Sequence, residues 1–444
     1  MELITRTPTS TVVVGAGLAG LTAARRLVDA GSEVTVLEAR DRLGGRAHSV
    51  TDSFAEGQHG DLGAELVLRH YDSLIRTCGE LGVELSDPVF FERPDTKPDE
   101  TSLEGFLDEG RIIVDGELLT GEAFREVDTE IRKALRNAPL ARHEIFEQWT
   151  RRARLSPRAR GALSGVLRMA VQYDPFQTDG QHLVEGRLGA VRRIVGGSRR
   201  LVEALARGID IRLDTPVLAV RQSGGRVTVE TESGETISAD RVIVAVPPFV
   251  VPTLGFDPPL PATRIGALTS LQRASGGKVI AQYAEGDAVR AALTRGVFSD
   301  GPINIAWVGN PYVTQGPAVV SGFLCGADRQ FLESDDAAVA GLDAVVETAV
   351  GSPVTRIAAT RKDWTPDRFA LAMGTTLPAA QRGSLAAQFA FPDRRVHFAG
   401  DYTVGRLSGT MEAAVRSGER AADEVLRRPG RMQLAEIDST LVRG

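Results

Sequence analysis

The sequence predicts an α/β protein with a Rossmann-type nucleotide domain and a second, α+β domain. Three observations predict it. Residues 11–38 read as strand, glycine-rich turn, helix and strand. A further buried strand and amphipathic helix follow near the end, at 396–426. The length of 444 residues also exceeds what one simple core organises.

The first unit is TVVVGAGLAGLTAARRLVDAGSEVTVLEAR. Thr11–Val14 is a β-branched apolar run, Leu18–Ala30 has helical spacing, Gly31 ends the helix, and Glu33–Leu37 is the next strand. Gly15-x-Gly17-x-x-Gly20 falls at the strand-to-helix turn. Gly15 allows the tight turn, Gly17 lets the backbone approach a pyrophosphate, and Gly20 permits close helix–strand packing. Ala19 lies in the same first turn, whose free N–H groups and partial positive charge suit phosphates. Glu38 follows Gly20 by 18 residues (38 − 20), where an acid binding a ribose hydroxyl is expected. Ala39 and Arg40 extend that candidate contact.

Composition narrows the function. The net charge of −6 argues against a nucleic-acid partner. The basic run RRARLSPRAR (151–160) reads as a solvated helix face. Two distant cysteines, Cys78 and Cys325, make neither a disulfide framework nor a metal cluster, and no histidine pair has metal-ligand spacing. No metal site is expected. The N-terminal run is too short and glycine-broken for a signal or a span, and the tail 431–444 is polar. The expectation is a cytoplasmic protein without a membrane anchor; the sequence leaves a homodimer open.

Of 52 basic residues only Lys97, Lys133, Lys278 and Lys362 are lysine. Three lie in polar surroundings. Lys278 instead opens GGKVIAQY, which reads as a buried strand.

The run EARDRLGGRAHS (38–49) contains Arg42-Leu-Gly44-Gly45-Arg46. Here the sequence resembles the flavin-containing amine oxidase superfamily of monoamine oxidases, polyamine oxidases, L-amino-acid oxidases and carotenoid desaturases. The resemblance implies FAD, with Gly45 and Arg46 at its pyrophosphate. It continues in GDLGAELVLRHYDSLIRTCGELGVEL (60–85), which resembles the family's second flavin-contacting segment and supplies Gly63, Ala64 and Glu65. In 195–222, Val217 matches a residue whose backbone touches the adenine. In 396–426, Gly400 and Asp401 resemble the grip on the ribityl or pyrophosphate region. The helix N-terminus near Met411 is expected to face the flavin. Lys278 matches a family lysine that reaches the flavin through an ordered water, where a cation favours electron transfer to O₂.

The resemblance also implies the domains. An FAD domain comprises 1–86, 195–256 and 385–430, and a substrate domain comprises 87–194 and 257–384. The latter starts with an acidic loop, 92–105, and has helical spacing through Glu122–Ala170.

The chain departs from the monoamine oxidases where they carry two caging tyrosines. Those positions are Gly374 and Thr410 here, and Met373 stands where a cysteine would bind flavin covalently. FAD is therefore expected to be non-covalent, and the lost rings leave room for a bulkier or more polar substrate. Trp364 matches a tryptophan bounding the site. Glu65 is a candidate partner for a substrate ammonium, and Arg69, beside His70, for a carboxylate. The implied reaction takes hydride from the C–H beside an amine nitrogen, giving an imine and, with O₂, H₂O₂. The wording FAGDYT leans instead toward the desaturases, so the alternative is an FAD dehydrogenase or desaturase acting on C–C bonds. A flavin-free binding protein on the same architecture is a third reading.

Overall fold

The structure, a computed structural model, describes residues 9–90, 109–141, 144–171, 190–376 and 382–427. The acidic loop 92–105 and the tail 431–444 lie outside the described residues.

The chain folds into a mixed α/β structure around two principal sheets. The first is five-stranded and parallel, in the spatial order Asp210–Arg212, Glu33–Leu37, Ser10–Val14, Arg241–Val244, Val396–Phe398. Its central strands are runs of Val and Ile because both faces are covered. The strand Ser10–Val14 starts one residue before its expected position and ends where expected. The helix Leu18–Asp29 follows, and Gly31 in the left-handed region turns the chain into Glu33–Leu37. Leu18–Asp29 packs against the last helix, Met411–Leu426. A Cβ on Gly418 would lie 2.4 Å from the Ala19 carbonyl oxygen, so this crossing needs glycine.

The second sheet has seven strands, ordered 356–363, 276–283, 318–325, 305–308, 297–299, 112–114 and 117–118. Gly276–Tyr283 is buried along its whole length between Ala318–Cys325 and Arg356–Asp363, as its apolar composition predicts. Lys278 stands opposite Phe323 in this register.

Among the described residues between 121 and 171 there are three helices: Gly121–Asn137, Phe146–Arg152 and Pro157–Val171. The basic run 151–160 is thus not one helix face. It spans a helix end, a turn with Arg154 in the left-handed region, and a new helix begun by Pro157. Proline supplies a helix start because it has no N–H to leave orphaned. Arg151 and Arg152 pair with Glu147 and Glu144.

Candidate active site

The carboxyl ends of the parallel strands open onto a cavity of about 540 Å³ that also reaches the second sheet. Its first wall is the turn after Ser10–Val14. Gly15 has φ +102°, and a Cβ on Gly20 would fall 2.0 Å from the Gly15 carbonyl oxygen. Gly15, Gly17 and Ala19 line the cavity, while Gly20 serves the packing behind it. Gly17 caps the helix Leu18–Asp29 without a side chain, so the first-turn N–H groups have no side-chain acceptor. A Cβ on Gly17 would meet only the Gly44 oxygen, at 3.9 Å, which leaves room beside the turn. An uncapped helix start with space beside it fits a phosphate group.

Glu38, Ala39 and Arg40 form the next wall. Glu38 is buried, accepts the Ala16 N–H at 2.8 Å through Oε2 and the Arg40 N–H at 3.0 Å through Oε1. Each oxygen keeps a lone pair for another donor. Arg40 pairs with Asp367 and lies over the Phe369 ring, 5.3 Å from its centroid. Gly45 and Arg46 also line the cavity. Arg46 donates to Asp401 Oδ1 at 2.6 Å and to the Met373 carbonyl at 3.3 Å.

Gly63, Ala64, Val217, Gly400, Asp401 and Met411 line the same space. Gly63 permits a tight crossing: a Cβ there would be 1.8 Å from the Arg46 carbonyl oxygen. Met411 opens the last helix, and Thr410, also in the wall, caps it by accepting the Ala413 N–H at 3.1 Å. Two helix starts and Arg46 therefore face one cavity, a donor set suited to an anionic dinucleotide.

Lys278 and Trp364 complete the wall. Trp364 donates its indole N–H to the Leu62 carbonyl at 2.9 Å. The Lys362 ammonium lies 5.0 Å from its ring centroid. His48 packs edge-on against the same ring; burial and then the nearby Arg42 charge hold its imidazole down to about 4. Lys278 Nζ donates to Glu65 Oε2 at 2.6 Å and to the Asp61 carbonyl at 3.0 Å.

Glu65 is fully engaged. Oε1 accepts from Arg193 Nε at 2.8 Å and from Trp307 Nε1 at 2.7 Å, and Oε2 also accepts from Ser321 at 3.3 Å. Burial opposes its ionisation, but the Lys278 and Arg193 charges and their hydrogen bonds hold its carboxyl down to about 2. It is buried behind the wall and does not line the cavity. This corrects its reading as a partner for a substrate ammonium and as a cofactor contact.

Arg69 is likewise corrected: it is exposed on a turn and is not in the cavity wall. Gly374 is buried in the strand Gly374–Thr376, paired with Gln272–Ala274, one residue beyond Met373, which does line the space. Sequence reading missed Arg193, Trp307, Phe323 and Asp367. Arg193 and Trp307 have no motif around them; only the tertiary fold brings them to Glu65. Among the described residues no group of side chains has metal-ligating geometry, and no helix is long and apolar enough to cross a membrane.

The family model for flavin-containing amine oxidoreductases matches residues 18–426. An L-amino acid oxidase of Bothriechis schlegelii is 25% identical over 470 residues, 95% of this chain and 91% of that protein. Flavin-containing amine oxidase B of Sus scrofa is 27% identical over 463 residues, 96% of this chain and 88% of its own. Among solved structures, cyclohexylamine oxidase from Brevibacterium oxydans superimposes with a TM-score of 0.75 at 19% identity, covering 95% of this chain and 100% of that one. A putrescine oxidase bound to putrescine gives 0.68 at 21% identity, covering 95% and 100%. The structural likenesses concern the fold; the family match, over nearly the whole chain, concerns descent. The chain belongs to the flavin-containing amine oxidoreductase family.

Proposed function

We propose that this protein is an FAD-dependent amine oxidase acting on a small-molecule amine, with O₂ as acceptor. The observation that supports it best is that one cavity is lined both by the glycine turn with Arg46 and by Lys278 with Trp364. FAD, when bound, supplies two-electron oxidation of the C–H bond beside an amine nitrogen and returns the electrons to O₂ as H₂O₂.

The chain's own residues bind and place. The uncapped start of Leu18–Asp29 and Arg46 neutralise the pyrophosphate, and Glu38 accepts from a ribose hydroxyl. The start of Met411–Leu426 offers a positive helix end to a reduced, anionic ring system. Lys278 contributes a fixed ammonium that favours the first electron transfer to O₂. Trp364 and Phe323 give the wall apolar surface and exclude water. Neither Cys78 nor Cys325 lines the cavity and Met373 does, which supports non-covalent FAD. On this reading the FAD domain is 1–86, 195–256 and 385–430, and the substrate domain is 87–194 and 257–384. The three segments of the first supply all five strands of the parallel sheet.

The test is an anaerobic titration of the purified flavoprotein with primary amines, polyamines and amino acids, followed by air. Bleaching of the visible flavin band by an amine, with rapid return and peroxide in air, is expected. A flavin that no amine bleaches, or that stays reduced in air, would favour the C–C dehydrogenase instead.

A further inference from the structure

We propose that Glu65 is a positioning residue that clamps Lys278 at the cavity wall, within a buried cluster whose one carboxylate serves two cations. The inference rests on the amine-oxidase reading above.

Four separate stretches of chain bring donors to this carboxylate, which a fifth carries. Glu65 follows the Gly60–Asp61 strand, Arg193 follows Ala190–Arg192, and Trp307, Ser321 and Lys278 come from three adjacent strands of the large sheet. Each Glu65 oxygen accepts two donors. That saturates the carboxylate, so a substrate ammonium has no acceptor left there. Lys278, which lines the cavity, spends two of its three N–H groups on Glu65 and the Asp61 carbonyl, and its ammonium lies 5.0 Å from the Trp307 ring centroid. The clamp therefore fixes the position of the ammonium. The Asp61 carboxylate turns the other way, onto the Ser198 N–H and hydroxyl at 3.1 and 2.7 Å.

Charge counting then gives a ladder. Glu65 carries −1, and Lys278 and Arg193 each carry +1, so these three groups sum to +1. Replacing Glu65 by Gln removes one negative charge from beside both cations. Replacing Lys278 by Met leaves the Glu65–Arg193 pair balanced. A more positive surrounding stabilises the extra negative charge of a reduced flavin, so the two substitutions must move its midpoint potential in opposite directions.

The experiment is a spectroelectrochemical titration of the flavin-loaded wild type, Glu65→Gln and Lys278→Met. Potentials in the order Glu65→Gln above wild type above Lys278→Met are expected. A shared direction, or no shift in Glu65→Gln, would overturn the proposal in favour of a packing role. Removing one partner from a buried ion pair is destabilising, so Glu65→Gln carries a folding risk. Arg193→Met covers it: it removes a cation outside the cavity wall and should lower the potential below wild type, and an unchanged potential would overturn the proposal. If Glu65 instead held the substrate, Glu65→Gln would raise KM for the amine with the potential unmoved. A protein that takes up no flavin would overturn the reading beneath the clamp as well, and flavin content shows that separately.

Discussion

Arg46 and Asp401 are joined by a 2.6 Å ion pair that ties the glycine loop after the second strand to the turn after the last strand. Their partnership closes the cavity wall across 355 residues of sequence. Arg46→Ala removes both a cation of the cavity wall and this tie. Loss of a charge-assisted hydrogen bond costs about 1.5–3 kcal/mol, so FAD affinity should fall by roughly 10- to 150-fold. Reconstitution of the apoprotein, followed by flavin fluorescence quenching, measures it. Equal affinity would remove Arg46 from the cofactor site.

Glycine positions give a steric prediction. A Cβ on Gly63 would sit 1.8 Å from the Arg46 carbonyl oxygen, whereas one on Gly79, in the helix Asp72–Glu80, meets nothing within 4 Å. Gly63→Ala must push the Arg46 loop aside, costing about 1–3 kcal/mol of stability and weakening FAD binding. Gly79→Ala should leave FAD binding unchanged and stabilise by up to about 1 kcal/mol. Thermal melts of both variants check the contrast; similar losses would contradict it.

The glycine-turn side of the cavity was legible in the sequence because its geometry is local. Gly15, Gly17, Glu38 and Arg46 occupy fixed positions in short strand–turn–helix units, so spacing alone brings them together. Lys278 stood out because a lysine inside a buried strand needs a reason. Its partners were not legible: Glu65, Arg193 and Trp307 come from segments far apart in sequence, and only Trp307 shares the large sheet with Lys278, while Glu65 and Arg193 flank the paired strands Val67–Leu68 and Ala190–Arg192 of a smaller one. Arg69 misled for the same reason, since its proximity to Gly63 in sequence says nothing about which way the following turn faces.

Acid should destabilise the fold in two windows. His48 has its folded pKa lowered from 6.5 to about 4, by burial first and then by Arg42. Between these values the unfolded chain binds the proton more readily, so stability falls as pH drops through that window and levels off below it. Glu65 is lowered from 4.5 to about 2, against its burial and through Lys278 and Arg193. Its stabilisation is present above 4.5 and is lost as pH falls toward about 2. Melting temperatures of wild type and His48→Gln from pH 8 to 3 test the first window. The variant should lose less stability between pH 6.5 and 4, and parallel curves would contradict the assignment.

The most direct test of the account is stopped-flow separation of the two half-reactions in wild type and Lys278→Met. Anaerobic mixing with an amine that bleaches the flavin gives the rate of reduction. Mixing the reduced enzyme with oxygenated buffer then gives the rate of reoxidation. The account predicts a reduction rate within about threefold of wild type and reoxidation slower by about a hundredfold, the scale of removing one preorganised charge stabiliser. Reoxidation at the wild-type rate would contradict it.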